Sequence, residues 1–224
     1  MTTTGNAVRR VSGFISASVA LLAVTTAQAT TVLSEVLYDA AGSDNGTTFV
    51  ELYGTPGTVL DGMILEGVNG ADGSVYRSII LAGIIPTDGL FLIGDDSGDG
   101  TTSIIGADLV GDVDFQNGPD SVVLRQGDSV LDSLGYGDFS GLVFTGEGTA
   151  AADAAAGFSL ARSNPLLDSN NNFADFIVLE LPTPGSASVS AVPLPPTAAL
   201  FFSGLIGLAG IARKRRQGMT TAMH

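Results

Sequence analysis

Thr31-Val32-Leu33-Ser34-Glu35-Val36-Leu37-Tyr38-Asp39 is followed, after the turn Gly42-Ser43-Asp44-Asn45-Gly46, by Phe49-Val50-Glu51-Leu52-Tyr53. Both stretches are short, rich in β-branched and aromatic residues, and bounded by turn formers. That is the signature of two strands joined by a turn. In the first, strict alternation sets Val32, Ser34, Val36 and Tyr38 on one face and Leu33, Glu35 and Leu37 on the other. In the second, Glu51 alternates with Phe49 and Tyr53, which predicts an inward carboxylate bonded to backbone.

The same grammar continues along the chain. Strands are expected at residues 63–65, 75–81, 90–93, 121–125 and 130–134. The last two are joined by Gln126-Gly127-Asp128, a hairpin signal. About seven short strands with a turn every 8–15 residues predict an all-β, antiparallel β-sandwich. The alanine-rich residues 149–156 carry no large apolar side chain and read as loop. There is no internal repeat.

Charge divides the chain in three. All 23 acidic residues fall between Glu35 and Glu180, where only Arg77, Arg125 and Arg162 oppose them. This middle part is strongly acidic, repels nucleic acid phosphates and anionic headgroups, and gives no direct nucleic acid partner. Arg162 is expected to pair with a carboxylate such as Asp175.

The ends read as addresses. Residues 1–29 carry Arg9 and Arg10, an apolar stretch, and Ala27-Gln28-Ala29, the small-x-small pattern of a signal peptidase site. Cleavage after Ala29 leaves Thr30 first; an uncleaved anchor is the competing reading. With no Cys in the chain, neither a lipoprotein attachment nor a disulfide is available. At the other end, Val192-Pro193-Leu194-Pro195 precedes an uncharged apolar stretch, residues 198–212, and then Arg213-Lys214-Arg215-Arg216. Fifteen residues of helix reach roughly 22 Å, short of a bilayer core of roughly 30 Å. The basic run would stay cytoplasmic and leave the acidic domain outside. The segments are therefore 1–29 signal peptide, 30–187 sandwich, 188–196 linker, and 197–216 transmembrane sorting tail touching the membrane transiently.

This tail resembles the PEP-CTERM class of sorting signals, in the variant that begins Val-Pro-Leu-Pro, with Pro196 where that variant more often has Ala. The resemblance implies a membrane-embedded exosortase acting near the proline motif. It also implies a Gram-negative bacterium that makes exopolysaccharide, with the protein on its surface or outside the cell. The middle part resembles the lamin tail domain. That resemblance rests on Leu33 to Asp39, residues 49–53, Leu60-Asp61-Gly62-Met63, residues 118–124 and 130–136, Gly157-Phe158-Ser159-Leu160-Ala161-Arg162, Asn172 to Phe176, and Pro182-Thr183-Pro184-Gly185. Met63 stands where the family usually has Trp. The resemblance implies an immunoglobulin-like sandwich acting as an extracellular interaction module.

Chemistry is sparse. His224 is the only imidazole, and Lys214 the only lysine. That removes Ser–His and Cys–His catalysis and His-based zinc sites, and no enzyme activity is expected. Calcium is the one cofactor considered: Asp95, Ser97 and Asp99 alternate ahead of Gly100, as in a calcium loop, although Gly106 stands where the closing Glu would be. Asp108, Asp112 and Asp114 follow in the next loop, and Asp168 to Asn172 form a second oxygen-rich turn. The competing reading is that these residues only make turns. Tyr38, Tyr53, Tyr76 and Tyr136 fit core packing better than a sugar platform. The expected function is an exported acidic surface or extracellular-matrix protein. Its partners would be signal peptidase and exosortase during export, then extracellular polymer or surface proteins. The alternative is an accessory binding module for a secreted nuclease or phosphatase.

Overall fold

The computed structural model describes residues 31–186. Ala27 and Ala29, Val192 to Pro195, and Arg213 to Arg216 lie outside the described residues, with the segments they define.

Ten strands and one short helix make up the described chain. They are β1 (Val32–Leu37), β2 (Phe49–Tyr53), β3 (Met63–Asn69), β4 (Val75–Ile80), β5 (Leu90–Asp95), β6 (Leu109–Gly111), β7 (Asp120–Gln126), β8 (Ser129–Tyr136), β9 (Ser159–Arg162), α1 (Asn172–Asp175) and β10 (Phe176–Leu179). One sheet has six strands in the order β10-β9-β1-β2-β5-β6; the other has four, β4-β3-β7-β8. All pairings are antiparallel except β5 with β6. The expected hairpin is there: Gln126 pairs Ser129 around Gly127 and Asp128, with Gly127 in the left-handed region at φ 58°.

The sheets pack face to face. Leu33, Val50, Leu52, Phe91, Ile93 and Leu160 of the six-stranded sheet meet Leu65, Val122, Leu124, Leu134 and Tyr136 of the other in one buried cluster. Each such side chain contributes roughly 1.5–3 kcal/mol by leaving water. Tyr38 and Tyr136 stack across the core with centroids 4.2 Å apart. They pack as expected and are closed to a sugar. No helix among the described residues is long and apolar enough to cross a membrane.

The first strand corrects the simple alternation. Leu33 pairs Leu52, and Glu35 pairs Glu51, so Ser34 is an extra residue that shifts the register. Such a bulge moves the following side chains to the opposite phase. Leu33 therefore shares the main core with Val36 and Tyr38 instead of facing away from them. Leu37 turns to the outer face, where it packs with Ala40, Phe49, Leu92 and Ile104. Covering segments explain why β1 is buried at every position: the loop carrying Ile104 roofs one part of that outer face, and residues 181–186 roof the part that bears Glu35 and Glu51. Strands β6, β9 and β10 and the helix α1 go beyond the sequence expectation. Residues 149–156 are loop, as expected, apart from a single bridge between Ala151 and Tyr136.

Candidate functional site: a buried ion cluster

An Asp on an apolar strand needs a partner if its period turns it inward. Asp132, on β8, is fully buried. Its partner is Arg162 on β9, whose Nη2 donates to Asp132 Oδ1 at 2.9 Å and Oδ2 at 2.7 Å. Leu33 of β1 donates its backbone N–H to Asp132 Oδ2 at 2.6 Å. Arg162 Nε donates to the Leu33 carbonyl at 3.0 Å. Three strands from the two sheets are thus tied through one carboxylate and one guanidinium.

The remaining nitrogen of Arg162 serves the C-terminal segment. Nη1 donates to Asp175 Oδ2 at 3.1 Å, the partner expected from the sequence, and to Asp168 Oδ1 at 3.4 Å. The guanidinium lies 4.6 Å from the centre of the Phe176 ring, in a cation–π arrangement. Asp175 also accepts from the backbone and hydroxyl of Ser169. Its position at the end of α1 is fixed by Asn172, which is fully buried. Asn172 Oδ1 accepts from the N–H groups of Gly135 and Glu147, and its Nδ2 donates to the Ser133 carbonyl. One side chain therefore satisfies backbone groups along the edge of β8.

Glu147 completes the group. Carboxylate oxygens of Asp132, Glu147 and Asp168 lie within 4.8 Å of one another. Glu147 Oε2 is shielded from solvent and has no hydrogen-bond partner. Burial first, then the charges of Asp132 and Asp168, push the Glu147 carboxyl up to about 7. Burial likewise raises Asp132, against the opposing pull of Arg162. One cation thus faces four carboxylates. The group can take up a proton near neutrality, and its three converging oxygens are of the hard type that suits a divalent cation. With Arg162 occupying both oxygens of Asp132, its evident work is to hold the sheets and the C-terminal segment together.

The residues proposed for calcium from sequence are placed differently. Asp95 is buried, and its oxygens accept from the N–H groups of Gly46 (2.8 Å) and Asp114 (3.1 Å). Asp96 Oδ1 accepts from the N–H groups of Gly98 and Gly100. Ser97 donates its backbone N–H to the Thr101 carbonyl, and Asp99 Oδ1 accepts from the N–H and hydroxyl of Thr101. Asp108 accepts from the Leu92 N–H, and Asp112 pairs with Arg77. Asp95 and Asp99 thus serve different backbone segments, while Asp168, from the second oxygen-rich turn, does join a converging group. The sequence left Asp132 and Glu147 unassigned. The available signal was an acid inside the run Val130-Leu131-Asp132-Ser133-Leu134.

The hollow beside Arg162 is too small for a substrate. The hollow between Ser34, Glu35, Arg162, Ile177 and Thr183 holds about 30 Å³, space for one water, against the roughly 300 Å³ at which small-molecule sites begin. No family model matches the chain, and neither a curated protein nor a solved structure matches it.

Proposed function

We propose that the chain is an exported acidic protein of the bacterial surface or extracellular matrix, whose immunoglobulin-like sandwich of the lamin tail type is a non-catalytic interaction module. The observation that carries the reading is the order Val192-Pro193-Leu194-Pro195, uncharged apolar stretch, Arg213-Lys214-Arg215-Arg216, behind a domain with no basic run of its own. Such a tail is a substrate for an exosortase-type enzyme, as Ala27-Gln28-Ala29 is for signal peptidase. The binding character is supported by the chemistry left in the domain. Its nucleophiles are hydroxyls without an imidazole or lysine beside them, and its buried carboxylates are bonded to backbone or to Arg162. A domain with three arginines against 23 acids suits a solvated protein outside the cell.

The test is intact mass of the protein from its native host, with cells and medium analysed separately. A species starting at Thr30 and ending between Val192 and Pro196 is expected. A membrane-bound species that retains residues through His224 overturns the sorting reading.

A further inference from the structure

Two carboxylates stand opposite each other in the middle of the six-stranded sheet, and neither has a cation. Glu35 and Glu51 are register partners across β1 and β2, exposed by only 2% and 0%. Every arginine among the described residues is committed elsewhere: Arg77 to Asp112, Arg125 to Glu66, and Arg162 to Asp132, Asp168 and Asp175. Buried like charges without a counterion are unfavourable unless donors surround them or a proton is taken up.

What faces the pair is the end of the described chain. Thr183 donates its backbone N–H to Glu35 Oε1 at 2.9 Å and its hydroxyl to Oε2 at 2.7 Å. Gly185 donates its N–H to Glu51 Oε2 at 2.7 Å. Beneath them, Ser159 of β9 donates to Glu35 Oε1 and Ser34 of β1 to Glu51 Oε1. Pro182 and Pro184 have no N–H to offer, and Leu181 is 82% exposed. Three hydrogen bonds therefore tie residues 181–186 to the sheet, and all three end on these two acids.

We propose that Glu35 and Glu51 form a proton-operated latch on residues 181–186: with one proton on the pair the strap lies closed over the sheet, and with both carboxylates ionised it lifts. The latch concerns described residues only and stands whether or not the tail is processed. Lifting the strap admits water to both carboxylates, so the open form tolerates two charges that the closed form does not. The influences on Glu51 are of both signs, and those that raise its carboxyl win. Burial is the largest influence; the charges of Glu35 from β1 and Asp88 from the turn before β5 add to it. The Gly185 and Ser34 hydrogen bonds oppose them, and the carboxyl ends at about 7. The closed form thus binds its proton more tightly than the open form, whose carboxyl returns toward the ordinary 4.5. Opening must then increase as pH rises from 4.5 to about 7, by up to about tenfold per pH unit, and level off above.

The experiment is amide hydrogen exchange of residues 181–186 in the full chain, held in detergent micelles between pH 5 and 8, with rates corrected for intrinsic exchange. In the unaltered protein the opening equilibrium should rise by about 30- to 100-fold from pH 5 to pH 7.5. Glu51→Gln, which keeps an acceptor for Gly185 and removes the charge, should show no rise and stay as protected as the unaltered protein at pH 5. Identical profiles for the two proteins, or a flat profile for the unaltered one, would overturn the latch. Carbon-13 titration of the Glu51 carboxyl in the unaltered protein decides independently of how the variant folds. A midpoint near neutrality is required, and an ordinary carboxylate midpoint refutes it.

Discussion

Arg162 and Asp132, thirty positions apart, meet through one guanidinium nitrogen and both carboxylate oxygens, with no solvent access to either side chain. Truncating one partner of such a pair leaves the other charged, buried and unpaired. Arg162→Met should destabilise the domain by about 3–5 kcal/mol, and removing both partners should cost much less than removing the arginine alone. Urea unfolding followed by far-ultraviolet circular dichroism measures both variants. Equal losses in the single and double variants would show that the pair is not the reason.

Glu147 carries a sign that can be checked. Its carboxyl is pushed up to about 7 in the folded protein, against an ordinary 4.5. A raised carboxyl gives stability that is fully present below 4.5 and is lost as pH climbs toward 7. Glu147→Gln removes the loss, so the variant should melt higher than the unaltered protein at pH 8 and no higher at pH 4.5. A melting difference that does not change with pH would contradict the placement of this side chain.

Asn172 bridges three backbone groups from a fully buried position. Asn172→Ala should cost about 2–4 kcal/mol, because the Gly135 and Glu147 N–H groups and the Ser133 carbonyl lose their partner together. Asn172→Asp retains an acceptor but no donor for Ser133, and it adds a charge next to the acidic cluster. It should be no less damaging at pH 8 and should recover in part at pH 5. Thermal melts at the two pH values test this.

Gly70 follows β3 and faces the backbone of Pro119. A Cβ at this position would run into the Pro119 carbonyl oxygen and touch the Phe139 ring. Gly70→Ala should therefore destabilise by about 2–3 kcal/mol despite the higher strand and helix propensity of alanine.

The strands that could be read from sequence are those whose own residues decide them. Residues 32–37, 49–53, 121–125 and 130–134 carry short β-branched runs, with a clear turn signal between the last two, and they lie in strands in the structure. The three- and four-residue strands β6, β9 and β10 gain their state from neighbours. Leu160 and Ala161, for example, are held by β1 on one side and β10 on the other. The bulge at Ser34 is likewise invisible locally, since only the pairing of Leu33 and Glu35 with β2 reveals it. Arg162 with Asp175 was legible because an arginine among so many acids demands a partner. Glu51 is bonded to a backbone N–H as expected. It does not face inward, however, because Val50 and Leu52 take the core side of β2 and leave Glu51 on the outer face under residues 181–186. The convergence of these residues with Asp132, Glu147 and Thr183 was not legible, because the contacts join residues up to 148 positions apart.

The central place of β1 also governs when folding can finish. Its neighbours in the sheet are β2 and β9, its Leu33 amide needs Asp132, and its Glu35 needs Thr183. The first of the described strands to be synthesised therefore waits for nearly the last described residues before its polar groups are satisfied. Contacts of such sequence separation are slow to form, because the intervening chain must close first. A nascent chain held at residue 150 has β1 and β2 but lacks β9, β10 and the covering strap. The domain should stay loose until residue 186 has emerged, a delay that leaves the chain threadable through a narrow pore.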